Sequence, residues 1–168
     1  MALTLIETAA SETANTYCSL AEAETYFESK YHKDNWTAAT DANKNIVLVE
    51  STRLLDQHFD WEGVKWSSDQ ALRWPRTGVI TPDAYDVDYQ TIPQFLKDAT
   101  AELALHILTE DRTQENDTRG IKSMKAGPLE LHLDKGDRQL VIPDAVNEIL
   151  KFYGSRLESL ASADIVRT

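Results

Sequence analysis

Along the first sixty positions, apolar residues recur at intervals of three and four. Leu20, Ala23, Phe27 and Tyr31 share one helical face, and Ser19 stands three residues before Glu22, a spacing at which each side chain can cap the other's backbone N–H. A helix over residues 19–31 is predicted. Everything before Thr16 is small, polar and acidic, and is expected to be a loosely held arm. A polar connection carrying Trp36 follows. A second helix is predicted from between Thr37 and Asp41 to about Phe59, with Leu48, Thr52, Leu55 and Phe59 on one stripe and Val47 and Leu54 widening it.

The next thirty positions lose that periodicity. Trp61, Trp66 and Trp74 alternate with glycine and proline, and an acidic, turn-rich run covers 81–90. Such a connection is expected to fold back onto the helices. Ile92-Pro93 opens a third helix, since proline is tolerated where its missing N–H costs nothing. Phe95, Leu96, Ala99, Leu103 and Ile107, with Ala101, Ala104, Leu105 and Leu108 beside them, make it apolar around most of its circumference and therefore central.

After a polar run over 110–120, Leu129-Glu130-Leu131-His132-Leu133 alternates with period two, as a half-buried strand does, and residues 139–142 read as a short returning strand. Pro143 opens a fourth helix, with Val146, Ile149, Leu150, Tyr153, Leu157 and Leu160 as its stripe. The fold class expected is mainly α. It is a single four-helix-bundle-like domain over 1–168, with a loose arm at 1–16, a β-ribbon insertion at about 121–142 and a tail at 161–168.

Composition narrows the function. With 42% hydrophobic and 27% charged residues, the chain has the balance of one ordinary globular domain. Its formal charge of −11, from 28 acidic and 17 basic residues, argues against a protein whose main work is neutralising nucleic-acid phosphates. It does not argue against lining a path along which DNA slides. No run approaches the roughly 18 to 20 apolar residues of a membrane span, and the first residues lack a secretory pattern, so no membrane partner is expected. The single cysteine, Cys18, reads as a small, partly buried hydrophobe.

Catalysis, metal binding and phosphate cradling leave local footprints, and these are missing from the sequence. His32, His58, His106 and His132 are scattered, without metal-ligand spacing. The acidic pairs Asp86 with Asp88 and Glu110 with Asp111 lack the ligand count and turn glycine of a calcium loop. His106 reads as a core or boundary histidine near the third helix's apolar face, with its polar atoms satisfied. No catalytic residue, metal or cofactor is expected. Arg73, Trp74 and Arg76, with Lys65 and Trp66 nearby, could form an aromatic and cationic platform for single-stranded nucleic acid. The competing reading makes Trp61, Trp66 and Trp74 anchors that staple the loop to the helices, with an arginine stacked on one or more rings.

The order of these signals resembles the head-tail adaptor, or connector, proteins of tailed bacteriophages, including a subgroup often labelled single-stranded-DNA-binding or primosome-like. The stretches that carry the resemblance are Tyr17-Cys18-Ser19-Leu20-Ala21-Glu22-Ala23, Thr52-Arg53-Leu54-Leu55-Asp56 with Trp61-Glu62-Gly63, Leu72-Arg73-Trp74-Pro75-Arg76-Thr77-Gly78, Ile92-Pro93 leading to Ala101-Glu102-Leu103-Ala104, and Gly127-Pro128-Leu129.

The resemblance implies a non-enzymatic virion protein at the head-tail interface, made in the host cytoplasm. It implies a homo-oligomeric, dodecameric ring that extends the DNA channel, with a portal protein and a neck, stopper or tail-completion protein as partners. DNA would pass through without specific binding, and a strongly negative ring would discourage sticking. Leu160, Ile165, Val166 and Arg167 would reach the portal, and the loop of Arg73, Trp74 and Arg76 would serve a subunit interface. The alternative is a single-stranded-DNA-binding replication accessory protein.

Overall fold

The computed structural model describes residues 3–114, 123–126, 129–132 and 140–157. The first helix, α1 (Leu20–Glu28), begins with the expected capping box. Ser19 Oγ accepts from the Glu22 backbone N–H at 3.3 Å, and Ser19 N–H donates to Glu22 Oε2 at 2.9 Å. Ala23 and Phe27 are buried, but the helix stops before Tyr31, which is 89% exposed. The reason is a short helix, α2 (Asp34–Ala38), which has no periodicity to announce it. The chain turns after Glu28 so that Trp36 can enter the core against Phe27, with ring centroids 4.4 Å apart. Lys33 Nζ closes the turn by donating to the Phe27 carbonyl at 2.6 Å.

Thr40 caps α3 (Asp41–His58), and Pro93 precedes α4 (Gln94–Thr109), both close to the expected boundaries. The α4 helix is central, as its all-round apolarity implied. Leu96, Ala99 and Leu103 join one core with Leu54, Leu55, Trp74, Val146 and Leu150. Ala101 and Ala104 join a second with Cys18, Phe27, Trp36 and Leu48. Residues 3–16, expected to be a loose arm, are tied back on themselves. Asn15 Oδ1 accepts from Ile6 N–H at 2.8 Å, Asn15 Nδ2 donates to the Thr4 carbonyl at 2.9 Å, and Thr16 is fully buried.

The fourth stripe is cut short. Helix α5 (Asp144–Leu150) ends where β6 (Gly154–Arg156) begins, and β6 pairs antiparallel with β1 (Phe59–Trp61), Trp61 opposite Gly154. A Cβ on Gly154 would lie 2.7 Å from the Asp60 carbonyl oxygen, so the glycine permits this close approach. Tyr153 accordingly packs through its ring, stacked on Phe95 at 3.6 Å, and Leu157 is half exposed. Leu160 lies outside the described residues.

Two further ladders occur among the described residues. In one, β2 (Val64–Lys65) pairs with β3 (Arg76–Thr77). In the other, β4 (Ser123–Ala126) pairs with β5 (Leu129–His132), Ala126 opposite Leu129. The alternating stretch is thus a strand, but its partner precedes it in the chain. The described residues 140–142, expected to return as a strand, instead lead Ile142 into the core as coil. The described chain is mainly α with small antiparallel β ladders, and five helices stand where four were expected.

One carboxylate inside α4 makes a testable contribution. Glu102 is only 6% exposed, and it accepts from Tyr26 Oη at 2.9 Å, pairs with Lys30, and lies 3.5 Å from His106 Nε2. Burial alone would raise its pKa, but these bonds and the Lys30 charge outweigh burial and hold it at about 2. A carboxylate whose folded value is depressed stabilises the fold above its unfolded value and loses that contribution as pH falls. The loss should therefore fall between about pH 4.5 and 2. We expect Glu102→Gln to cost about 2 kcal/mol at pH 7, allowing for the partly solvated Lys30 and His106. The gap from the native chain should narrow toward pH 2.5 in thermal melts, and a constant gap would exclude this origin.

Candidate nucleic-acid interface

The connection between α3 and α4 is fixed by side chains more than by ladders. Phe59 stacks on Trp61 at 4.9 Å, Trp61 meets Trp74 edge-on at 5.7 Å, and Trp74 meets Phe95 edge-on at 5.5 Å. Trp61 and Trp74 are therefore the anchors that the aromatic spacing suggested. Trp66 is not an anchor: it is 48% exposed, and its ring lies 4.5 Å from that of Tyr89. Nor does an arginine stack on the described rings. The cations over ring faces are Lys30 on Tyr26, Lys44 on Trp36 and Lys151 on Phe152.

Arg76 shows why an arginine follows Trp-Pro. Its Nε donates to the Glu62 carbonyl at 2.6 Å and its Nη1 to that of Arg73 at 3.2 Å. Its Nη2 reaches Trp61 O at 3.2 Å and Gly63 O at 2.7 Å. Only a guanidinium fork can serve four carbonyls this way. It ties the turn after β1 to the loop carrying Trp74, within one chain. Burial, then the neighbouring Arg73 charge, lowers its pKa from the usual arginine value.

Gln70, which is buried, pins the other side. Its Oε1 accepts from Ser67 N–H, and its Nε2 donates to the carbonyls of Leu72 and Pro75.

Between these fixtures lies an open groove of about 670 Å³, lined by Asp56, Val64, Lys65, Ala71, Arg73 and Arg76. Arg73 is exposed, and among the described residues its guanidinium has no hydrogen-bond or ion-pair partner. Lys65 Nζ gives one bond, to the Gln70 carbonyl at 2.8 Å, leaving two N–H donors. Trp66 follows Lys65 directly, with its N–H on the Pro75 carbonyl at 3.1 Å. The groove can thus offer cations to phosphates while an exposed ring pair stands beside β2.

Of the residues singled out from the sequence, the structure brings Lys65, Arg73 and Arg76 to one groove, with Trp66 adjoining. It withdraws Trp74, at 1% exposure, from any contact with a ligand. Tyr89 was missed, because it sits in an acidic turn-rich run without periodicity, as were Tyr17 and Asp56 below the loop. Leu160, Ile165, Val166 and Arg167 lie outside the described residues. Among the described residues, no cluster of three or more potential metal ligands occurs, and no helix is long and apolar enough to cross a membrane.

Over residues 1–168, the chain matches the family described as "Putative DnaT-like ssDNA binding protein". The chain belongs to that family. No curated protein and no solved structure matches it. Membership in the DnaT-like family corrects the head-tail connector reading, together with its portal ring and passive DNA channel, because the family's description names binding to single-stranded DNA. The argument from net charge also needs correcting. A total of −11 is summed over the whole surface, whereas a bound strand responds to charges within a Debye length of roughly 8–10 Å.

Proposed function

We propose that the chain is a single-stranded-DNA-binding accessory protein of replication, acting by binding without turnover. Phosphates lie against Arg73 and Lys65 in the groove, and a base stacks on the exposed Trp66–Tyr89 pair. The observation that carries this reading is the ring pair itself: Trp66 is the exposed indole of the loop, and it adjoins a groove whose Arg73 has no side-chain partner among the described residues. A base of any identity presents a π face, so such a site tolerates sequence. The family description supports the same ligand class.

The test is titration of a labelled oligonucleotide at several salt concentrations. Trp66→Ala should weaken binding about 5- to 150-fold, the equivalent of losing one stacked base. The melting temperature should barely move, since the ring is half exposed. Two phosphate contacts on a single strand correspond to a slope of log K against log salt of about −1.4. A native protein that fails to retain the oligonucleotide at low salt would sink the proposal.

A further inference from the structure

Tyr17 and Asp56 sit beneath Arg73, the Tyr17 ring in the core and its hydroxyl on the Asp56 carboxylate. Tyr17 is fully buried ahead of α1, and Asp56 lies on the last turns of α3. The Tyr17 hydroxyl donates to Asp56 Oδ1 and accepts from the backbone N–H groups of Arg73 at 3.1 Å and Trp74 at 3.3 Å. Asp56 Oδ2 accepts from the same Arg73 N–H at 3.0 Å. Residues 71–75 belong to no ladder, so these side chains replace the partners that a strand would supply.

A phenylalanine at position 17 would fill the same core volume, which leaves the hydroxyl to be explained by its polar contacts. Burying a hydroxyl and a carboxylate is costly unless both are bonded. Here both converge on the backbone of the one groove arginine whose side chain has no described partner. Burial, reinforced by the Asp56 charge and hydrogen bond, raises the phenol's pKa well above its ordinary value. The phenol therefore keeps its proton and donates a hydrogen bond to the carboxylate.

We infer that Tyr17 and Asp56 are positioning residues for single-stranded DNA: they fix the Arg73 backbone so that its guanidinium projects into the groove. This inference rests on the groove being the DNA site proposed above.

The experiment is a double-mutant cycle of Tyr17→Phe and Arg73→Ala in the full chain, read as oligonucleotide affinity and salt slope. Arg73→Ala should lower the magnitude of the slope by about 0.7, the single-strand value for one phosphate. Tyr17→Phe should weaken binding and flatten the slope in the native background, and do neither in the Arg73→Ala background. A purely structural role would reduce the folded fraction, weaken apparent binding equally in both backgrounds and leave the slope unchanged. That result, or no effect of Tyr17→Phe, would overturn the inference while leaving the DNA reading intact. Absence of binding by the native chain would remove both. If circular dichroism shows Tyr17→Phe unfolded at the assay temperature, Asp56→Asn takes its place in the same cycle, because whichever way its amide turns, a donor replaces one of the two acceptors that serve the Tyr17 hydroxyl and the Arg73 N–H.

Discussion

Trp74→Ala should destabilise the protein by about 3–5 kcal/mol, the range for deleting a buried aromatic ring and leaving a cavity. The indole is 1% exposed and touches Trp61 and Phe95 edge-on, so its loss interrupts a row of rings running from Phe59 to Tyr153. The site cannot readily collapse, because the peptide before Trp74 is held by Tyr17 and Arg76 and the Pro75 carbonyl after it by Gln70. Trp74→Phe should cost much less, about 1–2 kcal/mol, since Trp74 Nε1 has no hydrogen-bond partner among the described residues and only volume is lost. Urea melts would check both. A midpoint unchanged by Trp74→Ala would mean that the loop is not anchored through this ring.

Gly63→Ala should cost about 3 kcal/mol or more and remove oligonucleotide binding as well. Gly63 has φ +70°, where a Cβ is strained by roughly 1–2 kcal/mol. The added carbon would also stand 2.2 Å from the Thr77 carbonyl oxygen and 2.8 Å from Val79 Cγ2. Neither can yield easily: Thr77 is paired with Val64 in the β2–β3 ladder, and Val79 is buried. The ladder must open or shift, and with it Lys65 and the Gly63 carbonyl that Arg76 holds. Gly78→Ala is the control. It shares the positive φ, but its Cβ would meet nothing within 4 Å, so it should carry the backbone strain alone.

How far the sequence could be read depended on whether a signal was local. The capping box at Ser19 and Glu22, the proline before α4 and the alternation over 129–132 are each set by neighbours in the chain, and each led to the right element. The end of α5 is not local. Its apolar stripe continues on paper through Leu160, but Gly154 lies against Asp60, nearly a hundred positions earlier, and the backbone leaves the helix to pair there. Trp66 and Trp74 posed the same difficulty, as each follows a basic residue in an irregular loop. Only the space between Trp61 and Phe95, assembled from two other elements, makes one of them core and leaves the other outside. Arg76 was conspicuous as a residue, but three of its four carbonyl partners, those of Trp61, Glu62 and Gly63, come from a turn that folding brings near. The total charge misled because it carries no position.

The uneven exposure of the four tryptophans has a spectroscopic consequence. Trp36, Trp61 and Trp74 are shut away at 5% exposure or less, whereas Trp66 is half open. A collisional quencher dissolved in the buffer therefore reaches essentially one indole, and the red-shifted, quenchable part of the emission belongs to the rim of the groove. The unlabelled chain carries its own optical reporter: shielding of that fraction marks occupancy beside Lys65, while the blue, unquenched remainder tracks the integrity of the core.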